Sequence, residues 1–160
     1  MFRGCVNVKN FNCLKNWNVS KCENFRGIFE CCSFSDLNFL SSWNLNNAKD
    51  LSSIFEDCRK LNDIKGCKNW NVKNVEYFNR MFRDCEILTD VNDLQFWSME
   101  NAKDISYMFW GCSELITMNS LFKWKLNDKV KKTDIIKGCN KLVNAPSIFK
   151  GTNSSDCEIY

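Results

Sequence analysis

Histidine is absent from the sequence, and proline occurs once. Without an imidazole, the Ser-His and Cys-His arrangements that activate a nucleophile cannot be assembled within this chain. A typical zinc site loses one of its two usual ligand types, and no C-x-x-C pair supplies the other at ligand spacing. No metal and no cofactor is therefore expected. The six glycines are scattered, so no phosphate-cradling loop can be drawn. So little proline and glycine also argues against a long flexible linker. No apolar run approaches the roughly 18 residues of a membrane-spanning helix, and no membrane insertion is expected. An excess of one charge is missing too: 22 Lys and Arg stand among 19 Asp and Glu, for a formal charge of +3. Nucleic-acid binding shows as a concentrated basic patch, so no nucleic-acid partner is expected. The densest basic cluster, Asp128 to Lys132, reads as a solvated turn.

The first residues, "MFRGCVNVKN", contain no apolar stretch of the kind a secretory signal needs. The expected location is the cytoplasm, or a particle assembled inside the cell. On that reading the sequons at Asn18 and Asn153 carry no glycan.

What the chain does contain is repetition. Trp17, Trp43, Trp70, Trp97 and Trp124 are spaced by 26, 27, 27 and 27 residues. Fifteen residues after each comes a cysteine: Cys32, Cys58, Cys85, Cys112 and Cys139, with Cys5 opening the series. Leucines or Cys67 stand three residues before each Trp, and Val19, Leu45, Val72, Met99 and Leu126 two residues after it. Ile28-Phe29, Ile54-Phe55, Met81-Phe82 and Met108-Phe109 fill a further pair of columns. The first repeat is one residue short, and after Trp124 the pattern falters, with Lys129 and Lys132 where Ala102 and Ile105 stood one repeat earlier.

Apolar residues thus recur about every third position, which neither a long helix nor a strand would produce. A repeat of this length cannot bury its own apolar face, so repeats must stack and bury the same columns against each other. The one spacing of two, at Trp-x-Val, predicts extended backbone. The expected fold is a repeat solenoid of about five to six coils over residues 1–149, each of about 27 residues. Each coil would carry one short parallel β-strand, stacked at roughly 4.8 Å, with turn or helical connections. Residues 150–160 form a tail.

The segment "LQFWSMENA", Leu94 to Ala102, resembles the leucine-rich-repeat signature L-x-x-L-x-L-x-x-N/C. The fuller phrase, with its Met-Phe, Gly/Asp-Cys, Leu and Asn-Trp-Asn-Val elements, resembles the BspA-like leucine-rich repeat of bacterial surface proteins, also found in protists and large DNA viruses. The resemblance implies a recognition module displayed on a surface. The family's extracellular members carry a signal or lipid anchor, and this chain shows neither.

The 11 cysteines divide by column. Eight (Cys5, Cys22, Cys32, Cys58, Cys67, Cys85, Cys112 and Cys139) take positions that other repeats give to one cysteine column or to small apolar residues, and are expected as buried free thiols. Cysteines stacked in a parallel ladder point the same way, whereas disulfides need converging Cβ atoms. Cys13, Cys31 and Cys157 fall outside those columns and are the candidates for reactivity.

Carboxylates such as Asp63, Asp90, Asp93 and Asp104 sit at polar turn positions, so an enzyme working through paired carboxylates is the weakest reading. The expected function is a non-enzymatic protein–protein interaction module, a structural or scaffold component of a larger assembly such as a virion. An adhesin-like surface module is the alternative. The partners would be other protein subunits, meeting the face beside the strands and the uncapped N-terminal end, where Phe2 and Cys5 are the candidate exposed residues. On the strand face the candidates are Asn44, Asn69, Asn71, Ser98, Lys73 and Glu100, which form either a recognition surface or an amide ladder between coils. Phe96, Tyr107 and Trp110 interrupt columns that are otherwise polar or charged, and large aromatics so placed are candidate contact anchors.

Overall fold

The stretch before each Trp is too short and too interrupted for an α-helix, and it closes instead into a single tight turn. The structure, a computed structural model, describes residues 1–8 and 10–149. In it six short 3-10 helices follow one another: η1 (Asn12–Asn16), η2 (Asn38–Leu40), η3 (Lys65–Cys67), η4 (Asn92–Phe96), η5 (Asn119–Lys123) and η6 (Ser147–Phe149). The first five lead into the repeated tryptophans, whose backbone N–H groups donate to the carbonyl three residues back, as from Trp97 to Leu94 at 3.0 Å. Aspartates set the start of several of these turns. The side chains of Asp36, Asp63 and Asp90 accept from the N–H two residues on, at 2.9, 2.8 and 2.5 Å, the local bond that makes Asp a turn residue.

Eight to fourteen residues after each Trp, the backbone runs through consecutive turns. In the first unit Ile28, Glu30 and Cys32 donate to the carbonyls of Phe25, Gly27 and Phe29. The N–H groups in between, on Phe25, Gly27, Phe29 and Cys31, donate to Asp50, Ser52, Ile54 and Glu56 of the next unit at 2.8–3.1 Å. The same ladder joins Leu51, Ser53, Phe55 and Asp57 to the third unit, and it repeats from Phe78 and from Ile105. Two columns of this segment are left-handed in unit after unit. Gly27, Ser53, Arg80, Tyr107 and Asp134 form one; Gly4, Cys31, Asp57, Asp84, Gly111 and Gly138 form the other. Each is the third residue of its turn, where a type II turn requires positive φ.

Stacking places like side chains on like. The rings of Phe2, Phe29, Phe55, Phe82 and Phe109 form one column with centroids 5.6–6.1 Å apart and neighbouring planes within 26°. Each indole of Trp43, Trp70, Trp97 and Trp124 donates its Nε1–H to the carbonyl of Leu14, Leu40, Cys67 or Leu94 in the unit before, at 2.9–3.1 Å. The cysteine column does the same with sulfur. Cys32, Cys58, Cys85, Cys112 and Cys139 donate S–H to the carbonyls of Phe2, Phe29, Phe55, Phe82 and Phe109 at 3.1–3.3 Å. Burying one phenyl contributes about 1.5–3 kcal/mol, against a net of about 1 kcal/mol for one hydrogen bond. The side-chain columns therefore supply most of the stability, and the backbone ladder fixes the register.

This arrangement corrects the expected fold class. Among the described residues there is no strand and no sheet, only isolated parallel bridges such as Asp50↔Tyr77 and Tyr77↔Asp104. The chain is thus not a strand-per-coil leucine-rich-repeat solenoid. The spacing of two at Trp does mark extended backbone (Trp97 has φ −68°, ψ 129°). No backbone hydrogen bond crosses between units at that point, however. Neighbours meet there through asparagine side chains: Asn47, Asn74 and Asn101 donate Nδ2–H to the carbonyls of Ser20, Asn46 and Lys73 at 2.7–2.9 Å. The backbone bonds between units lie mostly where left-handed residues close turns, and such a chain cannot be extended.

Two smaller expectations also change. Cys22 is exposed rather than buried and takes no part in the core cluster. After Trp124, Val130 is buried one residue late, and register returns at the bridge between Asp104 and Lys131. The tail 150–160, with Asn153 and Cys157, lies outside the described residues.

Candidate functional site

With the inward columns consumed by packing, function falls to what points outward, beginning with the turn ladder. Its outward residues are one left-handed column (Gly27, Ser53, Arg80, Tyr107) and the column three residues on (Arg3, Glu30, Glu56, Arg83, Trp110). Between them, over the first three units, runs an open groove of about 650 Å³. Gly27 and Ser53 leave room at its floor, and Arg3, Arg26 and Arg80 stand around it. Glu30 is held by Arg3 at 2.7 Å and Glu56 by Arg83 at 3.3 Å.

Further along the same face the room is filled. The Trp110 ring lies under the Arg83 guanidinium at 4.6 Å, and the Tyr107 ring under Arg80 at 5.6 Å. In both pairs the cation comes from the same column one unit earlier. Trp110 and Tyr107 are half-buried, and much of each ring face is already used within the stack. Arg83 itself is crowded: its Nε lies 3.3 Å from Asp84 Oδ2 without the alignment of a hydrogen bond. Burial raises the Asp84 carboxyl above its ordinary pKa, and Arg83 opposes that rise.

Phe96 stands apart from this pair. It ends η4 and is 70% exposed, and Phe122, in the next unit's η5, is 65% exposed. Phe122 drew no attention in the sequence, although it follows Lys15, Ser41, Lys68 and Gln95 in its column.

The polar candidates Asn44, Asn69, Asn71, Ser98, Lys73 and Glu100 are all exposed. Two of them have local work. Asn44 and Asn71 accept the N–H of Asn46 and Lys73, two residues on, at 3.0 and 3.3 Å. Asn71 also bridges to Asn46 at 2.8 Å. The amide ladder between units belongs to Asn47, Asn74 and Asn101, one column beyond the expected ones. That column was legible: it reads Lys21, Asn47, Asn74, Asn101 and Asp128.

Phe2 and Cys5 are half-buried, and Phe2 stacks on Phe29 at 5.7 Å. Of the reactive-thiol candidates, Cys13 is exposed. Cys31 is half-buried, 3.4 Å from Asp57 Oδ2, and burial together with that carboxylate raises its pKa, which lowers its thiolate content. No cluster of metal-ligating side chains occurs among the described residues, and no helix of the described chain is long and apolar enough to cross a membrane.

Taken together, the chain is a stacked-turn repeat protein: 27-residue units joined by a ladder of turns and by three side-chain columns. It belongs to the family described as Mycoplasma protein of unknown function, DUF285, which it matches over residues 1–124 and, overlapping, over 35–150. This corrects the resemblance to the BspA-like leucine-rich repeat, since the family matched is a different one. No curated protein and no solved structure matches the chain.

Proposed function

We propose that the chain is a rigid, non-enzymatic protein-binding module that serves as a structural or scaffold component of a larger assembly. The observation that carries this reading is the pair Phe96 and Phe122. Two phenyl rings, 70% and 65% exposed on successive units, stand on a surface whose other side chains are mostly polar. Large exposed aromatics are favoured as contact anchors, because burying one on a partner removes much apolar area at little entropic cost.

A non-enzymatic role is supported by what the carboxylates do. Asp50, Asp63, Asp90 and Asp104 each accept a backbone N–H two residues on, which engages them in turn structure. The adhesin alternative drew on the family resemblance now corrected, and no feature of the structure favours it.

The test places the photo-crosslinking residue p-benzoylphenylalanine at position 96 in the native source. The expected result is one recurrent protein adduct, whose yield falls severalfold when Phe122→Ala is added. Adducts no more abundant than those from the same group at exposed Lys15 would overturn the reading.

A further inference from the structure

Every ion pair and ring contact on the turn-ladder face can be assigned, and the assignment leaves a remainder. Glu30 and Glu56, the acidic side chains of the groove, are matched by Arg3 and Arg83. Among the described residues Arg80 has only the Tyr107 ring. Arg26 has no acidic partner within salt-bridge distance among them, and its own backbone N–H is taken by Asn24 Oδ1 at 2.9 Å. Both guanidiniums are exposed and border the groove. The positive charge left over in a depression of about 650 Å³ is thus two forked donors, the geometry that suits carboxylates.

The spacing of the two arginines decides what kind of carboxylate. Arg26 belongs to the first unit and Arg80 to the third, two steps of the stack apart. At roughly 4.8 Å per step that is about 10 Å, too far for one small anion to bridge. An extended peptide rises about 3.3 Å per residue and turns alternate side chains to opposite faces, so carboxylates two or four residues apart, on the face toward the groove, bracket that distance. Glu30 and Glu56 line the same groove as hydrogen-bond acceptors, which suits the N–H groups of a peptide backbone and not a polyphosphate, whose backbone has no donors. Gly27 and Ser53 keep the floor low over just these units. Beyond them Tyr107 and Trp110 close the channel, which gives it an end.

We propose that this groove binds an extended acidic segment of a partner protein, with its carboxylates on Arg26 and Arg80 and its chain running along the stack toward Tyr107. The proposal rests on the reading of the chain as a protein-binding module and names the chemistry of one partner.

The experiment uses the full chain and fluorescein-labelled hexaglutamate, followed by fluorescence anisotropy at low and at physiological salt. The double variant Arg26→Gln, Arg80→Gln should weaken binding at least about tenfold. The double variant Lys125→Gln, Lys129→Gln removes the same charge from exposed positions elsewhere and should change it less than twofold. Equal losses in the two variants, or no binding of hexaglutamate by the unaltered chain, would overturn the proposal. So would free glutamate competing as well as hexaglutamate at equal carboxylate concentration, since that marks a small-anion site. A chain that fails here but still crosslinks through position 96 loses the groove and keeps its function as a binding module. Hexaglutamate binding without a crosslink at 96 leaves the groove and removes the Phe96 surface.

Discussion

A thiol was the least expected side chain to find bonding one unit to the next, and its chemistry follows from where it sits. The Phe carbonyl that accepts a Cys S–H from the following unit also accepts the N–H of its own unit's cysteine, as Phe55 does from Cys58 and Cys85. A cysteine therefore fills a small buried space and also serves as a donor. Burial pushes Cys32 up to about 11 and Cys139 up to about 12, and it raises Cys58, Cys85 and Cys112 as well. In the unfolded chain these thiols ionise near the ordinary value of about 8.5. The neutral thiols' contribution is complete below that pH and is lost as pH rises through 11 and 12. Stability should be flat up to about pH 8 and fall increasingly above 9. The slope is about 1.4 kcal/mol per pH unit for each thiol that ionises only on unfolding. Urea midpoints measured from pH 7 to 10.5 check this, and the double variant Cys85→Ala, Cys112→Ala should flatten the alkaline slope. In the native state a thiol reagent should modify exposed Cys13 and Cys22 before any of the ladder cysteines.

At the scale of the element, η3 shows how tightly units can approach. A Cβ on Gly66 would lie 1.8 Å from the Leu37 carbonyl oxygen, so this glycine is set by contact with the preceding unit and not by its own dihedrals. Gly66→Ala should cost about 1–3 kcal/mol through forced displacement of backbone, read as a lowered urea midpoint. Asp93→Ala in the same column removes only a loose pair with Lys68, at 3.6 Å with both side chains partly exposed, and should stay within about 0.5 kcal/mol.

Much of this element structure could be read from the chain before folding. The Trp, Phe and Cys columns located the core. Of the two left-handed columns, the one with Gly4, Gly111 and Gly138 advertised positive φ, whereas the other could not be read, because Ser53, Arg80, Tyr107 and Asp134 occupy a position where Gly27 is the one glycine. The covering of Trp110 and Tyr107 was legible in hindsight, since Arg83 and Arg80 precede them by one repeat in the same columns. The groove was not, because it is made by the smallness of Gly27 and Ser53, which a search for large or charged misfits passes over.

Across the whole molecule, each unit contacts its neighbours along one axis, and the described residues share one core cluster running from Phe11 to Phe149. Cooperativity must therefore travel through unit-to-unit contacts. Units flanked on both sides should open least. In hydrogen exchange the ladder amides of Phe78, Arg80 and Phe82 should be protected longer than those of Phe2 and Gly4, although all five donate to the next unit at 2.8–2.9 Å. Equal protection across the ladder would mean that the stack opens only as a block.

The ladder also gives the molecule an electrical direction. In a β-strand successive peptide groups point opposite ways and their dipoles largely cancel. Here every second peptide points along the stack, and the alternate ones turn into their own unit. The Phe2 N–H meets Ile28, Phe29 meets Ile54, Phe55 meets Met81, Phe82 meets Met108 and Phe109 meets Ile135, all in one sense. Peptides joined head to tail in this way add their moments, as they do along the axis of an α-helix. Other backbone bonds run the opposite way, from Lys49, Asp50, Asn62 and Asp63 into the first unit and from Lys103, Asp104, Glu114 and Ile116 into the third, and they oppose the ladder's moment. The turn ladder taken by itself is thus polarised along the stack, negative toward its early units and positive toward its late ones, while the opposing bonds on the other sides of each unit hold the moment of the whole molecule down.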